Sequence, residues 1–213
     1  MIGNDVVDLT DPRAMGKSRD IRFMDRVFTM KEQKAIFSHD NRDLFLWSLW
    51  AGKETAYKAI CKIHPAVSSA PRRYEIELFS PTGSFPERGV AHTPVGLVSI
   101  RLFVRADHLH CVGITDGPDM DSVMWNVGKI DQDRVSSDYQ SDIVRKMIKR
   151  EASCYLNESP GAMNINREMG RHGLGPPVLY VRNTKTAIDI SMSHDGSFVA
   201  CALQDIRDEW TRN

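Results

Sequence analysis

The chain has no excess of charge of either sign: 28 Lys and Arg stand against 28 Asp and Glu in 213 residues. Without a net field there is no basis for a nonspecific hold on nucleic acid or an anionic membrane, so any anion site must be assembled locally. No apolar run approaches the roughly 20 residues of a membrane span, and Met1-Ile2-Gly3-Asn4-Asp5 lacks the cationic and apolar stretches of an export signal. The expectation is a cytoplasmic protein with no membrane and no nucleic-acid partner. Cysteine is sparse and scattered. Cys61, Cys111, Cys154 and Cys201 include no C-x-x-C pair and no His at zinc-finger spacing, and are read as reduced packing residues. Low-complexity segments and exact repeats are absent as well. What remains is an ordinary globular composition, 41% apolar and 26% charged, at a length that suits one full domain or two small halves.

Ile2, Val6, Val7 and Leu9 predict a short opening strand, with Asp5 and Asp8 in or at the end of it, an odd place for charge. Thr29-Met30-Lys31-Glu32 has the capping-box pattern and predicts a helix through Ile36-Phe37. The longest helical signal runs from about Asp43 to Lys62. The period then changes to two, with Tyr74, Ile76 and Leu78 alternating with charge, and strands follow over Leu97 to Val104 and His108 to Thr115. Asp116-Gly117-Pro118-Asp119 marks the expected boundary between a first half, 1–120, and a second half, 121–213. The second half begins without clear pattern over Val123 to Ile130. Ile143 to Leu156 predicts an amphipathic helix, Gly173 to Pro177 a break, and Val178 to Val181, Ala187 to Ser193 and Phe198 to Leu203 strands, the last two turning at Asp195-Gly196. The class is α+β.

On a helical wheel Leu46, Leu49, Trp50, Ala56, Tyr57 and Ile60 form one stripe, and Lys53 falls inside it. A cation there must snorkel, pair or meet an anion, and a phosphate would satisfy it. Glu54 and Lys58 are one turn apart, which fits equally a surface ion pair and a site that binds metal and phosphate. Asp5 and Glu54 could supply two carboxylates from two elements to a hard cation such as Mg²⁺, which asks for oxygen ligands. Strand alternation puts Met192 and His194 on one face and Ser191 and Ser193 on the other, with His194 at the hairpin mouth. That opposition speaks against a Ser-His nucleophile pair. His108 and His110 share a strand face and are read as packing residues.

These residues together resemble the 4′-phosphopantetheinyl transferases. Gly3-Asn4-Asp5 is similar to their G-x-D strand, Trp50 to Lys58 to their W-x-x-K-E-x-x-x-K helix, Ser191-Met192-Ser193-His194 to their S-x-S-H strand end, and Phe28-Thr29-Met30-Lys31-Glu32 to their F-T-x-x-E helix start. The motif order resembles the small holo-acyl-carrier-protein synthases, while the length is that of the larger synthetase-activating group, whose halves come in the opposite order. The resemblance implies a pseudodimer of two similar halves, each a long helix packed on a small antiparallel sheet, with the cleft between them, working as a monomer.

It also implies an activity. The enzyme would move the 4′-phosphopantetheine group of coenzyme A to a serine of an apo acyl or peptidyl carrier protein of fatty acid, polyketide or nonribosomal peptide synthesis. Asp5 and Glu54 would hold Mg²⁺ or Mn²⁺, Glu54 and Lys58 would act in catalysis, and Lys53, Lys58, Ser193, His194 and Arg145 would contact coenzyme A. The basic run Arg13, Lys17, Arg19, Arg22 and Arg26 would receive the carrier's acidic helix. Two departures stand out. Val7 occupies the place of the larger group's second carboxylate, leaving two protein carboxylates on the metal, and Asp8 faces the wrong way to replace it. Pro176 replaces the Lys of the family's G-K-P, near the adenine end. A non-catalytic coenzyme A or nucleotide-binding protein and a metal-dependent phosphohydrolase are the competing readings.

Overall fold

Strand β1 (Ile2–Asp8) is buried along its whole length, and its alternation shows how two different neighbours bury it. Gly3, Asp5 and Val7 face helix α3 (Arg42–Ile60), while Ile2, Asn4, Val6 and Asp8 face the second half of the chain. The structure is a computed structural model and describes residues 1–79, 85, 87–115, 120–131, 136–171 and 173–207.

In the first half, β1, β2 (Glu75–Phe79), β3 (Arg88–Thr93), β4 (Gly96–Val104) and β5 (His108–Thr115) form an antiparallel sheet in the order β1-β5-β4-β3-β2. Helix α3 starts at Asn41, whose side chain accepts from the Leu44 N–H, and lies across this sheet. Its small residues make close approach feasible. A Cβ on Gly3 would stand 2.0 Å from the Thr55 carbonyl oxygen, and one on Gly113 would stand 2.6 Å from the Thr55 methyl. The apolar stripe read from the wheel is buried or partly buried, and Ser48, Ala51, Gly52, Thr55 and Ala59 are buried too, because the helix is covered on more than one side. Ahead of it, α1 (Ile21–Val27) and α2 (Met30–Ser38) close the far end. The α2 capping box forms as expected: Thr29 caps the Glu32 N–H and the Glu32 carboxylate accepts from the Thr29 N–H.

After β5 the chain leaves this sheet. The expected boundary, Asp116 to Asp119, lies outside the described residues. Beyond it β6 (Met124–Lys129) joins β10 (Ile188–Asp195) and β11 (Phe198–Asp205) in the order β10-β11-β6. Helix α4 (Ser137–Leu156) packs Val144, Ile148 and Ala152 on Ile190, Val199, Cys201 and Leu203. A second small sheet contains β7 (Met163–Gly170), β8 (Gly173–Val181) and β9 (Thr184–Lys185). The molecule is thus α+β, with one long helix on antiparallel strands in each half.

The break expected over Gly173 to Pro177 is corrected: those residues begin β8, paired with β7 across a bulge between Arg167 and Met169. The prolines are tolerated because β9 reaches only Tyr180 and Val181, which leaves β8 an edge strand where Pro176 and Pro177 stand. Strand β7 and strand β3 carry no alternation strong enough to announce them.

The halves meet along β1. Three of its outer N–H groups are taken by side chains of β10: Ile2 donates to Asp189 Oδ2 at 2.7 Å, Asn4 to Ser191 Oγ at 2.9 Å and Asp8 to Asp195 Oδ2 at 2.9 Å. A sheet edge that would otherwise be an exposed template is sealed, and β10 is held alongside β1 in one register.

Candidate active site

The close contact of Gly3 with Thr55 draws α3 onto β1, and Asp5 and Lys58 come together as its consequence. Lys58 Nζ donates to Asp5 Oδ1 at 2.7 Å and to the Asn4 carbonyl at 3.0 Å. An ammonium has three N–H groups, so among the described residues one is left to face a ligand. The same count separates the neighbouring lysines. Lys53, 1% exposed, spends its donors on both oxygens of Glu32, at 2.7 and 2.8 Å, and on the Tyr74 carbonyl. The phosphate contact expected of Lys53 is therefore corrected to a structural role: its charge on the apolar stripe is matched by Glu32 inside the first half. Glu32 accepts in turn from the Thr29 and Ile76 N–H groups.

Glu54 lies one turn before Lys58, partly buried, with no hydrogen bond or ion pair among the described residues. Burial raises its carboxyl above the ordinary value and Asp5 adds to that, with Lys58 opposing. Asp5 is likewise raised, by burial first and with Asp195 adding, against Lys58 and His194. Two carboxylates within each other's field, and one lysine between them, form a site short of positive charge. That donor chemistry, oxygen only and doubly anionic, fits a hard divalent cation. Among the described residues no group of three or more His, Cys, Asp or Glu side chains gathers as a metal cage. Val7 is packed in the core. Asp8 is committed elsewhere, accepting from Thr10 and from the Ser197 N–H at the β10–β11 turn.

His194, at the mouth of that turn, is exposed, and its charge field reaches Asp5 and Lys58. Burial of part of the ring and the Lys58 charge lower its pKa. Ser193 is turned the other way: its hydroxyl accepts from Asn4 Nδ2 at 2.9 Å in the buried seam. Arg145 donates to the Ile165 carbonyl at 2.8 Å, behind Arg167, whose guanidinium its charge opposes.

A cleft of about 610 Å³ opens from Glu54 and Lys58, a size suited to a substantial ligand. Its walls are the end of α3, with Tyr57, Cys61 and Lys62, and the β7–β8 ribbon, with Arg167, Arg171 and Pro176; Ser191 and Met192 contribute from β10. Arg167, Lys62 and Asp189 went unnoticed in the sequence. The readable trace was the alternation of Asp189, Ser191, Ser193 and Asp195, four polar residues on one face of a strand with both faces covered. The basic run lies at the other end of β1: Arg13 pairs with Asp11 and Lys17 with Asp20, while Arg19, Arg22 and Arg26 are exposed. The field of Arg13 reaches Asp195, next to His194.

Comparison with known families matches residues 1–91 to the 4′-phosphopantetheinyl transferase superfamily. The matched segment includes Asp5, Glu54 and Lys58 and ends before β10. No curated protein matches the chain. Among the described residues no helix is long and apolar enough to cross a membrane.

Proposed function

We propose that this chain, whose residues 1–91 match the 4′-phosphopantetheinyl transferase superfamily, transfers the 4′-phosphopantetheine of coenzyme A to a serine of an apo acyl or peptidyl carrier protein. The observation that carries this reading is that Asp5, from a separate element, bonds Lys58 and lies within the field of Glu54, and that Glu54 and Lys58 line the cleft. The reading keeps the division near residue 120 into two halves with the cleft between them.

Asp5 and Glu54 would hold a divalent cation, Mg²⁺ or Mn²⁺, which when bound withdraws charge from the pyrophosphate oxygens. The remaining N–H of Lys58 is directed to a non-bridging oxygen of the phosphorus that carries pantetheine, where charge grows as the serine oxygen attacks. A serine O–P bond forms, the P–O bond to adenosine 3′,5′-bisphosphate breaks, and the serine proton passes to Glu54, directly or through water. His194 would contact a phosphate of coenzyme A from the second half, and Arg145 is a further candidate for a phosphate contact. The basic run from Arg13 to Arg26, of which Arg13 has its field on Asp195 next to His194, would meet an acidic carrier helix.

The test is to incubate the protein with coenzyme A, Mg²⁺ and an apo carrier and to weigh the carrier. A mass gain of one phosphopantetheine is expected, lost in both Asp5→Ala and Glu54→Ala. No gain with any acyl or peptidyl carrier would overturn transfer, and bisphosphate released without a carrier would make the protein a hydrolase.

A further inference from the structure

Lys62 stands one helical turn beyond Lys58 on the same wall of the cleft, yet its ammonium is spent inside the protein. Nζ donates to the Ile2 carbonyl at 2.7 Å, to Asp189 Oδ1 at 2.7 Å and to the Ile190 carbonyl at 2.8 Å. Three donors meet three acceptors, so no N–H is left for a ligand. The other oxygen of Asp189 accepts from the Ile2 N–H at 2.7 Å, and the two side chains are 6% and 8% exposed. One buried ion pair thus joins the end of α3, the first residue of β1 and the start of β10.

These are the three elements that carry Glu54 with Lys58, Asp5, and His194. The first two are fixed to each other within the first half by the Gly3–Thr55 contact. The position of His194 along Asp5 follows from where β10 lies beside β1, which Asn4 holds at Ser191 and Ser193, Asp8 holds at Asp195, and the Lys62–Asp189 pair holds at the start of the strand. The pair holds the end of β10 opposite the Asp195 and Asp8 contacts, and a strand pinned at both ends cannot slide.

We infer that Lys62 and Asp189 are positioning residues of the cleft, a clamp that keeps β10 in the register that brings His194 up to the Asp5–Lys58 site. The inference rests on the transfer reading above for its kinetic consequence. Loosening the clamp leaves Asp5, Glu54 and Lys58 together and displaces His194, so substrate binding suffers before the chemical step does. A pair that served the fold alone would lower stability and leave the kinetics of the folded molecules unchanged.

Two variants separate these roles. Lys62→Met removes the ammonium and leaves a buried carboxylate uncompensated, which is destabilising in itself. Lys62→Met/Asp189→Asn removes both charges while keeping an acceptor for the Ile2 N–H, so melting temperature should return toward that of the parent. In both variants KM for coenzyme A is expected to rise about tenfold with kcat within about threefold, and hydrogen exchange should quicken in peptides covering 188–195. Parental KM and parental exchange in the double variant would overturn the positioning role, as would failure of both variants to fold, which would make the pair a determinant of the fold. If the parent protein transfers nothing, the functional reading falls by itself, and the clamp is then decided by exchange alone: unchanged protection of 188–195 refutes it, faster exchange at recovered stability sustains it.

Discussion

Three lysines within ten residues of one helix and its end have three different fates, and the count of their N–H groups decides each. Lys53 and Lys62 are saturated by the protein; Lys58 is not. Lys53→Met should therefore cost stability of about 3–5 kcal/mol, because Glu32 is left charged and buried, while Lys58→Met should keep the fold and lose transfer. Urea unfolding beside the carrier mass assay distinguishes them. His110 makes a further residue-scale prediction. It is fully buried, accepts from Asn4 Nδ2, and burial brings its pKa from 6.5 down to about 3. Between those values the unfolded chain binds a proton that the folded chain does not. Stability should fall as pH drops through 6.5, by on the order of 1 kcal/mol per pH unit, and level off below about 3. His110→Gln should flatten that slope in urea titrations between pH 4 and 7 (roughly the window set by the two pKa values). A steep residual slope would assign the effect to other groups.

At the scale of elements, two contacts place the site. The Thr29–Glu32 capping box starts α2 and also positions the carboxylate that neutralises Lys53. Thr29→Ala should cost about 1 kcal/mol, measured by thermal unfolding, with transfer kinetics unchanged because Thr29 touches nothing in the cleft. The approach of β1 to α3 is less forgiving. In Gly3→Ala the new methyl would meet the Thr55 carbonyl oxygen at 2.0 Å, and that oxygen is backbone, so one element must move. Loss of Mg²⁺-dependent transfer together with a large drop in melting temperature is expected; an active, stable Gly3→Ala protein would remove the account of why Asp5 reaches Lys58.

For the whole molecule, the cleft exists because two α+β halves share one seam, polar along β10 and apolar around Ile2, Val6, Phe198 and Ala200. The seam does not depend on a metal, since Asp5 has Lys58 as its partner. Chelation should therefore stop transfer without unfolding, read by circular dichroism on the same sample, and Mg²⁺ should restore it. The basic run from Arg13 to Arg26 should make the encounter with an acidic carrier sensitive to salt. KM for the carrier should climb between low salt and physiological ionic strength, where the screening length contracts to about 8 Å, with KM for coenzyme A changing less.

Local pattern alone determined much of this. The long helix, the capping box, the Asp195-Gly196 hairpin and the three motifs are short-range signals, set by periods of 3.6 and two and by turn chemistry, and they give the α+β class and the placing of Glu54 one turn from Lys58. Only the tertiary structure decided which charges face the cleft. Lys53 and Lys62 carry the same signal as Lys58 in one dimension. Their partners, Glu32 and Asp189, lie 21 residues earlier and 127 residues later, and no periodicity spans such distances. The seam is the same kind of fact: Ser193 reads as a phosphate contact beside His194 until β10 is laid along β1, when its hydroxyl is found bonded to Asn4, a residue 189 positions away. Whether a polar side chain meets ligand or protein depends on which surfaces the fold buries against each other, and that is settled in three dimensions.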